Sequence, residues 1–130
     1  MSKTTYTLTK GTYFFGDPAI LIKKTVEGDQ FITRLWDLFY IDHNQFQHLT
    51  IDSISFYMTR TKGGDGRFNG VGTDTGTFII IDISQIENDP RFIINKNVDF
   101  VKYITVEHEE KVTVDNFDIY FESGLTVITE

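Results

Sequence analysis

The segment "TFIIIDI", residues 77–83, is a continuous run of β-branched and aromatic residues with a single acid near its end. Such a run, without polar alternation, is typical of a strand that is buried on both faces. We therefore predict that residues 77–83 form the central strand of a sheet, with apolar side chains packed against each of its faces.

The stretch "GDQFITRLWDLFYID", which begins at residue 28, predicts a helix. Two rows of apolar side chains repeat at intervals of four: Phe31, Leu35 and Phe39, and beside them Ile32, Trp36 and Tyr40. This period is that of an amphipathic helix. We predict one principal helix at about residues 28–41, packed on the sheet.

Shorter apolar segments before and after the helix predict strands. The Gly16-Asp17-Pro18 triplet separates the apolar runs 13–15 and 19–22, which favours a strand, a turn and a second strand. Residues 51–60, "IDSISFYMTR", predict one strand after a polar loop. Ser84 is placed to cap a short helical turn, with Glu87 three residues later.

The last third has the pattern of a β-meander, with turns at "HEE", "DN" and "SG". Glu107, Glu109 and Glu110 are expected at a hairpin tip, as a solvated acidic cluster. Together these segments predict a β-rich α+β fold: an antiparallel sheet or sandwich of roughly seven to nine strands with one helix on it. The length of 130 residues fits a single domain, 1–130.

Charge and composition restrict the partners. The net charge is −7 and no three basic residues are adjacent, which argues against binding to nucleic acid or to an anionic membrane. The absence of cysteine excludes disulfides and thiolate chemistry. The first residues lack the apolar core of a signal peptide, and no apolar run approaches the roughly 20 residues of a membrane span. We expect a cytoplasmic protein, in a bacterial cell or an infected host, and a protein or small-ligand partner.

The glycine-rich segment "GGDGRFNGVGTDTGTF", residues 63–78, is the main candidate site. Six of its sixteen residues are glycine. The Lys-Ser/Thr pair of a phosphate-binding P-loop is missing. Asp65, Asn69 and Asp74 do not have EF-hand spacing, although a looser calcium loop stays open.

Two further interpretations of this segment remain. Asp74-Thr75-Gly76 has the order of an aspartic-protease triplet, but the flanking residues do not fit that pattern. A long connection between strands explains the residue types, because glycine and aspartate favour turns. The number of glycines nevertheless suits a loop that another backbone or a ligand approaches closely.

The three histidines do not have the spacing of a metal-binding site. His43 and His48 are five residues apart in a predicted loop, and His108 is distant. Solvated loop histidines are the simpler interpretation. We predict no metal and no cofactor.

Two segments together resemble a family of small uncharacterised proteins from bacteria and phages. "KGTYFFGDPAILI" resembles their GxYxxGDP opening, and "GTDTGTFIIIDISQI" resembles their later Asp-Ser/Thr-Gly motif and apolar strand, with "GGDGRF" before it. The family has no established activity. The resemblance covers about the first 86 residues and implies that Gly16-Asp17-Pro18 and Asp74-Thr75-Gly76 meet in space.

We therefore hypothesise a non-enzymatic binding or interaction module without catalytic residues, in the form of a phage or viral accessory protein. The predicted binding residues are Asp17, Asp65, Asn69, Asp74, Thr75 and Gly76. One alternative is a small metal-assisted hydrolase that uses Asp17 and Asp74. Another is a self-assembling structural protein. The content of eighteen Phe and Tyr residues further predicts an oligomer, a symmetric homodimer in its simplest form.

Overall fold

The computed structural model describes residues 3–129, which form nine strands, two α-helices and one short 3₁₀ helix. Their bounds, in chain order, are β1 Lys3–Gly16, α1 Pro18–Leu21, α2 Val26–Phe39, β2 Phe46–Ile51, β3 Ile54–Arg60, β4 Gly66–Phe68, β5 Val71–Thr73, β6 Thr77–Asp82, the 3₁₀ helix Ile83–Gln85, β7 Lys102–Asp115, β8 Asp118–Phe121 and β9 Thr126–Val127. The predicted β-rich α+β class is confirmed.

Seven of the strands form one sheet in the order β2-β3-β6-β1-β7-β8-β9, and every neighbouring pair is antiparallel. The strands β4 and β5 form a separate hairpin within the glycine-rich segment. The predicted central strand is confirmed, because β6 lies between β3 and β1 and its first five residues are buried.

The sheet separates two hydrophobic cores. Alternate residues of β6 contribute to each: Ile79 and Ile81 pack on the helix side, whereas Phe78 and Ile80 pack on the other side. A strand with two buried faces needs a continuous apolar sequence, because its side chains alternate between those faces.

The second core is enclosed because the sheet curls. Residues of β7, β8, β9 and the β4–β5 hairpin supply most of its remaining side chains. Hydrogen bonds then connect the β8–β9 end of the sheet with the segments that flank β2 and β3. Phe117 N donates to Gln45 Oε1 at 2.7 Å, and Gly63 N donates to Thr129 O at 2.8 Å.

The helix α2 begins and ends two residues earlier than predicted. Thr25 caps its start and accepts a hydrogen bond from Gly28 N at 3.1 Å. Phe31, Leu35 and Phe39 are buried, which confirms the predicted apolar row. Within residues 3–129, α2 is the only helix longer than four residues, and no helix there is long and apolar enough to cross a lipid bilayer.

The expected strand at 19–22 is wrong, because residues 18–21 form the short helix α1. Asp17 caps this helix, and Pro18 occupies its first position, where a missing N–H costs nothing. The apolar run 13–15 is the end of one long strand, residues 3–16. The apolar side chains of residues 21 and 22 correctly indicated burial. The backbone is nevertheless helical at residues 18–21, because Asp17 caps the helix.

A single strand is expected at 51–60, but these residues belong to a hairpin of two strands, β2 and β3. A tight turn at Asp52 and Ser53, with φ of 51° and 66°, joins β2 to β3. His48 therefore lies on a strand and not in a loop. Aspartate tolerates left-handed backbone in such turns, but serine is an uncommon choice, so the turn signal was weak.

Two further expectations are corrected. The acidic residues Glu107, Glu109 and Glu110 lie within the continuous strand β7 and not at a hairpin tip. β7 continues through the acidic stretch because Glu109 and Glu110 pair with Thr9 and Leu8 of β1. Glu110 is buried and accepts a hydrogen bond from Ser123 N at 2.6 Å. The cap of the 3₁₀ helix is Asp82 rather than Ser84.

Leu35→Ala should lower the free energy of unfolding by about 2–5 kcal/mol, because Leu35 is fully buried beneath α2 and its loss leaves a cavity. Leu38→Ala is the matched control on the same helix, where the side chain is 37% exposed, and should change stability by less than about 1 kcal/mol. Urea denaturation measures both; equal effects would contradict the packing of this helix.

Candidate functional site

The site begins at Asp17, directly after β1. Its side chain is only 1% exposed. Asp17 Oδ1 accepts a hydrogen bond from Ala19 N at 2.8 Å and so caps α1. Because an unpaired buried carboxylate is strongly destabilising, the other oxygen also needs donors.

The donors for that second oxygen come from the glycine-rich segment. Asp17 Oδ2 lies 2.7 Å from Asp74 N and 3.2 Å from Thr75 N. The hydroxyls of Thr73 and Thr75 lie 2.7 Å and 3.1 Å from the same oxygen. The expected meeting of the Gly-Asp-Pro and Asp-Thr-Gly segments is therefore present, although 56 to 58 residues separate the partners in sequence.

Thr73 organises the inside of this loop. Its hydroxyl accepts from Thr75 N and Thr77 N, both at 3.2 Å. The same hydroxyl can donate to Asp17 Oδ2 or to Thr77 O, at 2.7 Å and 2.8 Å. A threonine hydroxyl has one proton to donate and two lone pairs that accept. The Thr73 hydroxyl therefore connects the start of β6 to the buried Asp17 carboxylate.

Glycine is needed at two turns of the segment. Gly76 has a φ of +72° and its carbonyl accepts from Thr61 N at 2.9 Å. Asn69 and Gly70, with φ of 51° and 82°, form the turn of the β4–β5 hairpin. These left-handed conformations are easiest for glycine and asparagine. The segment is a long connection between β3 and β6, and part of it forms the β4–β5 hairpin.

A concavity of about 380 Å³ opens beside the loop. Its charged lining comes from Asp65, Arg67 and Asp74, and its apolar lining from Ile20 and Phe100. The Arg67 guanidinium lies 5.7 Å from the centre of the Phe100 ring. Both aspartates are exposed, and neither carboxylate forms a hydrogen bond or salt bridge within residues 3–129. The concavity therefore presents two uncompensated acids and one base.

The six predicted binding residues have three different placements. Asp65 and Asp74 line the concavity. Asp17 is buried beneath it, and Thr75 and Gly76 form the turn that Asp17 holds. Asn69 lies outside the lining, and its side-chain amide donates to Thr126 O at 2.8 Å.

Six residues of the lining were not among the predicted binding residues: Ile20, Gly66, Arg67, Gly72, Thr73 and Phe100. Arg67 lies inside the quoted "GGDGRF" and only its basic charge could have drawn attention to it. Phe100 comes from the unassigned last part of the chain. It reaches the site because Gly72 N donates to Phe100 O at 2.8 Å, a tertiary contact with no local sequence signal.

Within residues 3–129, no group of three or more histidine, aspartate or glutamate side chains is arranged to hold a metal ion. The concavity offers two carboxylates, whereas calcium is usually surrounded by six to eight oxygens. The geometry of this site is therefore that of a polar surface depression.

Comparison with protein-family models, with curated proteins and with solved structures finds no match for this chain. The resemblance to the GxYxxGDP proteins stays a prediction.

Asp17→Asn should lower the free energy of unfolding by about 1.5–3 kcal/mol, the range for hydrogen bonds to charged groups. Asparagine has an NH₂ group in place of one carboxylate oxygen. This donor would then face another donor, either Ala19 N or the groups that donate to Oδ2, and hydrogen bonds would be lost. Urea denaturation and amide hydrogen exchange at Asp74 and Thr75 measure the effect.

Asp74→Asn is the matched control for this experiment. It removes the same charge from an exposed side chain and should change stability by less than about 0.5 kcal/mol. An Asp17→Asn protein with an unchanged unfolding midpoint would contradict the anchoring role of Asp17.

Proposed function

We propose that the protein is a non-enzymatic binding module whose recognition surface is the concavity beside the glycine-rich loop. Its partner presents a basic side chain, lysine or arginine, from the surface of another protein. The observation that carries this proposal is that Asp17 is buried and held by the loop, which leaves Asp65 and Asp74 as the acids available to a ligand.

Rigidity supports recognition by this surface. The Asp17 carboxylate fixes the backbone of Asp74 and Thr75, and Thr73 fixes the same turn from inside. A loop that is ordered before binding loses less conformational entropy when it binds a partner. Gly66 is exposed and lines the concavity without a side chain, so a ligand can approach the backbone there closely.

Charge favours a cationic partner. Asp65 and Asp74 outnumber Arg67 in the lining, and the whole chain has a net charge of −7. Such a field attracts basic surfaces and accelerates their encounter at low ionic strength. Arg67 beside Phe100 offers a further contact for a carbonyl or carboxylate next to the basic side chain.

The alternative of a hydrolase that uses Asp17 and Asp74 has less support. A general base must come within hydrogen-bonding distance of the substrate or of its attacking water. Asp17 is 1% exposed and its nearest polar neighbours are backbone amides and threonine hydroxyls of the protein itself. The contact between the two residues joins the Asp17 carboxylate to the Asp74 backbone, not to the Asp74 carboxylate.

Self-assembly and a phage or viral setting stay predictions. Of the eighteen Phe and Tyr residues only Tyr40 and Tyr120 are exposed, so the aromatic content by itself no longer favours an oligomer. The remaining support is that β2 and β9 lie at the two edges of the sheet, where strands can pair with another copy.

A homodimer would sediment at twice the mass of the 15.0 kDa chain at micromolar concentration. Analytical ultracentrifugation measures this directly. A single monomeric species across the concentration range would contradict the homodimer.

The binding proposal is tested with short peptides that contain either lysine or glutamate at one central position. Amide chemical shifts in NMR titrations should move at residues 63–76 with the lysine peptide and not with the glutamate peptide. Asp65→Asn combined with Asp74→Asn should weaken lysine-peptide binding by about tenfold, since each 1.4 kcal/mol of lost interaction has that effect.

Asp37→Asn is the matched control, because Asp37 is an exposed acid on α2 away from the concavity. It should retain the affinity of the unmodified protein. Binding that is equal for both peptides, or unaffected by the double substitution, would overturn recognition by this surface. Loss of a hydrolytic turnover in Asp74→Asn would instead support the hydrolase.

A further inference from the structure

A second cavity lies on the other side of β6 from α2, where β1 leaves the centre of the sheet. Residues 13–16 of β1 pair with β6, whereas residues 3–9 pair only with β7 in the described part of the chain. A β-bulge between Thr9 and Gly11 separates these halves. The departure of β1 opens a space of about 210 Å³, partly open to solvent, which residues of β1, β2, β3, β6 and the 3₁₀ helix line.

Three aromatic rings line this cavity: Tyr13, His48 and Tyr57. His48 and Tyr57 stack with their centres 4.6 Å apart and their planes at 20°. Tyr6 supports Tyr57 from the side at 5.0 Å. Burial, followed by the neighbouring Tyr13 and Tyr6 phenols, raises the pKa of Tyr57, so its ring is uncharged at neutral pH.

Asp82 is the only acidic or basic residue among those that line the cavity, apart from the titratable aromatic side chains. Asp82 Oδ1 accepts a hydrogen bond from Ser84 N at 2.9 Å. Asp82 Oδ2 receives no hydrogen bond, and no lysine or arginine within residues 3–129 forms a salt bridge with it. The carboxylate thus contributes a negative charge that the described part of the chain leaves uncompensated.

Glycine at position 11 makes room for this carboxylate. A Cβ there would lie 2.8 Å from Asp82 Oδ2, closer than real contacts allow. Tyr13 and Asp82 are also direct partners in the pairing of β1 with β6. The bulge and the strand register therefore place the acid beside the aromatic rings.

The nearest polar side chains are already occupied. The Gln85 amide donates to Ser55 O at 2.8 Å and accepts from Ser55 N at 2.9 Å. The Tyr13 hydroxyl donates to Thr9 O at 3.0 Å. The groups that remain for a ligand are the ring surfaces that the His48–Tyr57 stack leaves uncovered and the free oxygen of Asp82.

We propose that this cavity binds a small organic ammonium group, of which trimethylammonium is the best fit. Aromatic rings attract such cations through their electron-rich faces, and a nearby carboxylate adds to that attraction. In another protein a cavity of about 150 Å³ holds a benzene molecule, so this cavity has room for a trimethylammonium head. A metal ion fits less well, because one carboxylate supplies too few oxygens.

Titration with choline tests the proposal, with 3,3-dimethyl-1-butanol as a neutral molecule of nearly the same shape. In NMR spectra choline should shift the amides of Tyr13, Tyr57 and Asp82 saturably. It should bind about tenfold more tightly than the neutral alcohol, since cation–π and ion-pair attraction is lost in the latter. Equal affinities, or no saturable shift with choline, would overturn the proposal.

Two variants locate the interaction. Asp82→Asn should reduce choline affinity by about tenfold while asparagine still caps the 3₁₀ helix. Glu87→Gln is its matched control, because Glu87 lines a neighbouring depression and not this cavity. Tyr57→Leu should also weaken choline binding, and it is the alternative test of this cavity if Asp82→Asn does not fold. Retained affinity in folded Asp82→Asn and Tyr57→Leu proteins would contradict the assignment.

Two sources could provide the ammonium group, a free metabolite or a methylated lysine of a protein. A peptide with trimethyllysine and the same peptide with unmodified lysine distinguish them. Tighter binding of the methylated peptide than of choline indicates a protein source, and the reverse order indicates a small molecule. Asp74→Asn should leave choline affinity unchanged, which separates this cavity from the concavity beside the glycine-rich loop.

Discussion

The buried carboxylate of Asp17 is the constraint on which the glycine-rich segment depends. A charged group that is 1% exposed is compatible with a folded protein only when donors surround it. The segment meets this requirement with two backbone amides and two threonine hydroxyls. To direct both amides at one oxygen the chain must turn sharply, and the left-handed Gly76 completes that turn. The two motifs are therefore physically coupled, since hydrogen bonds to the Asp17 carboxylate join one directly to the other.

The sequence was most informative where one physical signal dominated. The apolar run of β6 and the four-residue repeat of α2 each depend on burial alone, and both elements were predicted correctly. Prediction failed where a tertiary partner decided the outcome. Glu110 lies within a strand because β7 pairs there with β1, with Glu110 opposite Leu8, and Ser123 N donates to its buried carboxylate. A local contact decided the other case: the strand expected after Pro18 is a helix because Asp17 caps it, and that cap competes with the β-branched residues that follow.

For the candidate site, the sequence indicated the segments but not the orientation of their side chains. Asp17 and Asp74 looked equivalent, as two acids in glycine-containing turns. In the structure the Asp17 carboxylate is buried and accepts hydrogen bonds from the protein. Asp74 donates its backbone amide to Asp17, and its own carboxylate is exposed to solvent. Asn69 was expected to bind a ligand and instead ties the hairpin to Thr126 O. Burial and hydrogen-bond partners determine such roles, and neither can be read from residue type.

The two candidate sites lie at opposite ends of one strand. Thr77, at the start of β6, contacts the loop that Asp17 holds, whereas Asp82 ends the same strand beside the aromatic cavity. Five residue steps of roughly 3.3 Å separate these ends by about 17 Å. Sites more than about 10 Å apart with no shared partners usually contribute independently to stability and binding. Because β6 is buried on both faces, it acts as a fixed spacer between them. One protein could thus hold a basic side chain at the loop and an ammonium group at the cavity, with neither ligand obstructing the other.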